Sequence, residues 1–149
     1  MQLKKVLETK KLTIYSPKKT QLKARPIVNE DISAGFPSPA EDFKEVRISL
    51  DQELVKNEEA TFYARVRGNS MIDANIEDGD LLVIDRSIET RNGKIAVCMI
   101  DGEFTIKRLK VKKDCVYLMP ENNNYKPIKV FEENELIIWG IVTYVIKKV

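Results

Sequence analysis

The chain has 149 residues, 43% of them hydrophobic, and a formal net charge of +2, which suits one globular domain of ordinary size with a tail. It contains no histidine, and its two cysteines, Cys98 and Cys115, lack CxxC spacing; imidazole-assisted serine hydrolysis is thereby excluded, and no zinc site, other metal or cofactor is expected. No stretch reaches the roughly 18 apolar residues of a membrane span, and the charged start Met1-Gln2-Leu3-Lys4-Lys5 lacks the apolar core of a secretory signal, so a cytoplasmic protein without membrane contact is expected.

Residues 1–34 hold eight Lys and Arg against three Asp and Glu, a charge of +5 that leaves −3 on the remainder. Such an arm binds nucleic acid nonspecifically, lies against its own domain or is simply solvated. Its one strand-like run, Lys11-Leu12-Thr13-Ile14-Tyr15, stops at Ser16-Pro17, and the arm is read as flexible. Next, Ile32-Ser33-Ala34-Gly35-Phe36-Pro37-Ser38-Pro39 joins two small residues to a proline-stiffened stretch. Proline biases its neighbours toward extended backbone, which suits a peptide lying in a protease groove and equally suits a plain linker.

From Phe43 onward, short runs rich in β-branched and aromatic residues alternate with turn signals, the pattern of an all-β domain. One short helix is expected from Gln52 to about Asn57, capped by Asp51 with Glu53 in its first turn. A strand over Ala60 to Arg67 ends at Gly68, and a turn-helix carries Ser70 to Ile76. Glu77, Asp78 and Asp80 look like a metal cluster but read better as turn formers, and Leu81 to Asp85 reads as a buried strand from its apolar run. Lys94 to Ile100 and Glu103 to Val111 flank Asp101-Gly102, a pairing that favours a type I′ hairpin turn. Period two then puts Thr105, Lys107 and Leu109 on one face of the second strand. Strands follow at Val116 to Pro120, Ile128 to Phe131 and Leu136 to Ile146, where Gly140 signals a bulge or a close backbone approach.

With no imidazole, a serine nucleophile needs a carboxylate or an amine as its base, and a Ser-Lys dyad is one known solution. Ser70 and Lys107 are 37 positions apart, and Ala34-Gly35 lies 35 positions before the serine. A free lysine, with a pKa near 10.4, is neutral in only about 1 case in 2,500 at pH 7, so the apolar strands around Lys107 must desolvate it. Gly68 permits a tight strand-to-turn transition, at which the amides of Asn69 and Ser70 are the expected oxyanion donors. Each piece alone has an ordinary reading, a turn for Ser70 and a snorkelling surface lysine for Lys107; their combination and spacing carry the case.

Taken together, Gly35-Phe36-Pro37-Ser38-Pro39, Gly68-Asn69-Ser70-Met71-Ile72-Asp73, Asp78-Gly79-Asp80-Leu81-Leu82 and Asp101 to Lys107 resemble UmuD-like members of the LexA-type self-cleaving serine protease family, from about residue 30 to the end. The resemblance implies a mostly β, LexA/UmuD-type peptidase domain at 35–149, preceded by a basic arm at 1–34 that self-cleavage removes. It further implies Ser70 as nucleophile, Lys107 as general base and Ala34-Gly35 as the bond cut, although UmuD proteins often carry cysteine where Ala34 stands. The implied partners are a second copy in a homodimer, the RecA filament on single-stranded DNA, which stimulates cleavage, and a UmuC-like Y-family polymerase in error-prone translesion synthesis of the SOS response. Direct sequence-specific DNA binding is not expected, since the arm shows no helical periodicity for a helix-turn-helix motif. Two other readings use the same fold: a polymerase scaffold that has lost cleavage, and a mobile-element regulator that antagonises a repressor.

Overall fold

The computed structural model describes residues 3–8, 12–17, 24–27 and 46–149. Eleven strands are present among these residues, β1 (Leu3–Glu8), β2 (Leu12–Pro17), β3 (Arg25–Ile27), β4 (Val46–Ile48), β5 (Thr61–Val66), β6 (Leu81–Asp85), β7 (Ile95–Ile100), β8 (Glu103–Val111), β9 (Val116–Met119), β10 (Ile128–Val130) and β11 (Leu136–Ile146). Nine of them form one sheet in the order β1-β2-β5-β6-β11-β7-β8-β9-β10, while β3 and β4 pair separately. Every pairing is antiparallel. The mostly β class expected from alternation and turn spacing is therefore the class observed.

Local chemistry accounts for most of these elements. β6 reads Leu-Leu-Val-Ile-Asp and is buried along its whole length, because Leu82 and Ile84 on one face and Leu81 and Val83 on the other each enter an apolar cluster. In the β7-β8 hairpin, Asp101 and Gly102 take φ of 48° and 82°, the two positive values that a type I′ turn requires. β11 keeps step with its neighbours only by shifting register twice, once between Ile138 and Gly140 and once between Val142 and Tyr144. Gly140 stands where a Cβ would lie 2.5 Å from Ile84 Cγ2, so the close approach expected there is real.

Two local expectations are corrected. The helix α1 runs Leu50–Leu54, with Ser49 in the cap position at φ −101°, ψ 120°, instead of following Asp51. Ser49 already has the extended backbone of a cap and its carbonyl accepts from Glu53 N–H at 3.0 Å, which leaves Asp51 inside the first turn, near the positive end of the helix. The turn-helix expected over Ser70 to Ile76 is a single 3-10 turn, Ile72–Ala74, closed by Asn75 in the left-handed region.

The arm yields more order than its sequence suggests. β2 covers the run from Leu12 and pairs with β5, with Leu12 opposite Val66 and Ile14 opposite Ala64. Leu12 and Ile14 are buried in the same apolar group as Val66, Met71, Ile76, Leu82, Ile84, Val97 and Ile106. That group lies beneath the two segments carrying Ser70 and Lys107. A second group gathers Ala96, Cys98, Leu109, Leu118, Val130 and Ile141. Among the described residues, no helix is long and apolar enough to cross a membrane.

Candidate active site

Ser70 follows the end of β5 in a turn that its own sequence shapes. Gly68 has φ +93°, a conformation in which a side chain is strained, and its N–H donates to Asp78 Oδ1 at 2.7 Å. Asp78 thus serves as the turn former that its sequence context suggests. Its acidic neighbours are engaged in the same way: Asp80 Oδ2 accepts from Glu77 N–H at 2.8 Å, and Lys147 Nζ bonds both Asp80 Oδ2 (2.5 Å) and Glu77 Oε2 (2.9 Å). Those hydrogen bonds, to Asp80 first, push the Lys147 ammonium above its ordinary range.

The loop after β9 braces the serine turn from the other side. Glu121 N–H donates to Ser70 O at 2.9 Å and Asp73 N–H donates to Glu121 O at 2.7 Å. Asn122 Nδ2 donates to Asn69 O at 2.7 Å. In a planar trans peptide the N–H points away from the preceding carbonyl, so holding Asn69 O fixes the direction of the Ser70 N–H. The Glu121 carboxylate accepts from Arg108 Nε, and Arg108 Nη1 donates to Gly93 O at 2.7 Å. Nothing in the turn-rich Glu121-Asn122-Asn123-Asn124 announces this long-range role.

Lys107 enters from β8, opposite Ala96 of β7, and only 5% of it is exposed. Its Nζ lies 3.1 Å from Ser70 Oγ, 2.7 Å from Thr105 Oγ1 and 2.9 Å from Ile106 O. Two segments far apart in sequence therefore bring hydroxyl and amine within hydrogen-bond reach. Thr105 is 3% exposed, and its part in the site is one that sequence reasoning missed. The period-two alternation that put Thr105 on the Lys107 face was the available signal. Cys98 pairs with Thr105 across the hairpin, but burial pushes its thiol up to about 12 against the opposing pull of the Lys107 charge. It is a protonated core residue.

A small cleft opens beside Ser70, with Val66, Met71 and Ile106 among its apolar walls and Arg67, Gly68 and Thr105 beside them. Arg67 Nη2 lies 2.6 Å from Glu8 Oε1 of β1 and 3.3 Å from Thr13 Oγ1 of β2. Of the residues singled out in the sequence, Asn69, Ser70 and Lys107 are thus brought to one place. Ala34 and Gly35, with the whole Ile32 to Pro39 segment, lie outside the described residues.

The Peptidase S24-like family model matches residues 26–143. The chain is 42% identical to Protein MucA of Salmonella typhimurium over 121 residues, which cover 80% of this chain and 82% of MucA. It is 39% identical to Protein ImpA of Shigella flexneri over 124 residues, 83% of this chain and 84% of ImpA. To the LexA repressor of Alcanivorax borkumensis it is 40% identical over 122 residues, covering 82% of this chain but 58% of the repressor.

Proposed function

This chain belongs to the Peptidase S24-like family, and on that premise we propose that it is a serine endopeptidase that cuts its own Ala34-Gly35 bond. Ser70 is the nucleophile and Lys107 the general base. The observation that carries the reading is the 3.1 Å separation of Lys107 Nζ from Ser70 Oγ, with the lysine almost wholly buried.

Donor counting supports the base role. A neutral amine has two N–H donors and one lone pair. Thr105 Oγ1 and Ile106 O, at 2.7 and 2.9 Å, are placed to accept from both donors, and a lone pair directed at Ser70 Oγ, 3.1 Å away, is placed to take its proton. Removal from water disfavours the ammonium form, the condition that a lysine base needs. As Ser70 Oγ attacks the Ala34 carbonyl carbon, its proton passes to Nζ. The developing oxyanion faces the amides of Asn69 and Ser70, the second of them aimed by Asn122. Collapse breaks the C–N bond, Nζ returns the proton to the Gly35 amine, and water activated by the same lysine hydrolyses the Ala34 ester on Ser70. Because bond and nucleophile share a chain, positioning supplies a large part of the rate.

In the cell the reading is that of a UmuD-like protein. The RecA filament formed on single-stranded DNA stimulates the cut, and the shortened homodimer serves a UmuC-like Y-family polymerase in SOS mutagenesis. Its support is the likeness to MucA and ImpA over more than four fifths of each protein.

Intact-mass spectrometry of the purified chain, with Ser70→Ala and Lys107→Ala alongside, tests the chemistry. A product beginning at Gly35 is expected in wild type alone, forming faster as pH rises from about 7 to 10 because the base must be neutral. A flat pH profile would remove Lys107 from the role. Absence of product even with RecA, nucleotide and single-stranded DNA would leave a scaffold without cleavage.

A further inference from the structure

The hairpin formed by β1 and β2 is part of the main sheet, although both strands lie on the amino-terminal side of the bond assigned to cleavage. β2 pairs with β5 over four consecutive positions, Leu12 with Val66, Thr13 with Arg65, Ile14 with Ala64 and Tyr15 with Tyr63. Leu12 and Ile14 are 0% and 1% exposed and Thr13 is 3% exposed. At the outer edge, Glu8 of β1 accepts from Arg67, three residues before Ser70, at 2.6 Å. None of these contacts uses a residue between 18 and 45. Cutting Ala34-Gly35 removes a covalent link and leaves every one of them in place.

We propose that the severed segment 1–34 stays bound after the cut as a two-stranded ligand of the β5 edge, so that the product is a two-chain complex and not a shortened body plus a free peptide. The inference rests on the self-cleavage reading and changes its outcome. Scission converts the arm from a tethered strand pair into a displaceable one, held by strand addition and by the two side chains seated in the core. The β5 edge is then a site for an extended segment with apolar residues at alternate positions, and this chain's own residues 12–15 are its occupant. Only exchange, not the cut itself, takes the +5 segment away.

The test reads one sample twice. Full-length protein is incubated at mildly alkaline pH until denaturing mass spectrometry shows the Gly35 product, and native mass spectrometry and gel filtration at micromolar concentration follow. Equimolar co-migration of segment 1–34 with body 35–149 is expected. A Leu12→Ala/Ile14→Ala variant, cut at the same bond, is expected to hold the segment at least about 100-fold more weakly, from the usual cost of two buried large-to-small changes. Immediate separation of the wild-type pieces would overturn the proposal. Should the double variant misfold, exchange of a fluorescent synthetic 1–17 peptide into cut wild type supplies the same answer: saturable uptake supports the docking, and its absence overturns it. Should no scission occur, the self-cleavage reading fails by itself, and hydrogen exchange decides the hairpin separately. Protection of residues 12–15 equal to that of β5 supports the docking, and exchange at the rate of an open chain overturns it.

Discussion

Replacing Thr105 with valine tests the donor count at Lys107 most sharply. The side chain keeps its shape and loses the Oγ1 that lies 2.7 Å from Lys107 Nζ; at 3% exposure solvent has little room to substitute for it. Resting amine and transition state both lose that hydrogen bond, and the transition state, in which Nζ takes on the Ser70 proton and its hydrogen bonds strengthen, loses more by about 0.5–1.5 kcal/mol. The amine also gains freedom among three staggered positions about its terminal bond, only one of which aims the lone pair at Ser70, and this adds about 0.6 kcal/mol. The sum, about 1–2 kcal/mol, corresponds to a rate of self-cleavage roughly 5–30-fold lower at the high-pH limit. The ammonium form, whose hydrogen bonds are the stronger ones, loses more than the amine does, so the pH profile moves toward lower pH even as its plateau falls. Intact-mass time courses from pH 7 to 10 on wild type, Thr105→Val and Thr105→Ser measure both effects, with the serine variant expected to recover most of the rate. A Thr105→Val protein that cuts at the wild-type rate with an unmoved profile would refute the assignment of Thr105 as the residue that orients the base.

Three further outcomes follow from contacts described above. Asn122→Ala frees the Asn69 carbonyl and with it the direction of the Ser70 N–H, so cleavage is expected to fall by about tenfold, less than the roughly 100–1,000-fold of a deleted oxyanion donor because the N–H itself remains, with little change in melting temperature; equal loss of both would make Asn122 merely structural. Gly140→Ala puts a Cβ 2.5 Å from Ile84 Cγ2 and 3.2 Å from Arg86 Cγ. It is expected to cost about 1–3 kcal/mol as overpacking, read as a lower denaturant midpoint at constant slope. Glu8 has its carboxyl held below the ordinary glutamate range by the hydrogen bond from Lys5 and then that from Arg67. The Lys5 contribution lies within β1 itself, whereas the Arg67 contribution stabilises docking above the free value and is lost as pH falls through the lowered one. Protection of β1 and β2 against hydrogen exchange should therefore decline between about pH 4.5 and more acid conditions in wild type, and be insensitive to pH there in Glu8→Gln.

The sequence discloses those parts of this fold whose signals are local. β6 and β11 run over the expected residues, because continuous apolar runs bounded by turns leave few alternatives. Asp101-Gly102 marks its hairpin for the same reason. β1 escaped notice because a register shift between Lys5 and Leu7 breaks the period-two alternation by which a strand is recognised, and β3 and β4, of three residues each, are too short to show one. At the site, the spacing of Ser70 and Lys107 was readable, and so was the face that Lys107 shares with Thr105. The brace supplied by Glu121 and Asn122 was not, since it joins a polar turn to another turn roughly 50 residues away and neither carries a local sign of the other.

The place of β11 in the sheet has a consequence for timing. Ser70 follows β5, which is joined to β6, and Lys107 stands on β8, which is joined to β7; β11, later in the chain than all four, is the strand that unites these two halves of the sheet. Within the sheet, the strand hydrogen bonds that join the two halves form only once β11 has been made. At about 5–20 residues per second, the 39 residues from Lys107 to Ile146 take roughly 2–8 s. A chain made only as far as Lys107 thus carries Ser70 and Lys107 without the strand that joins their two halves of the sheet.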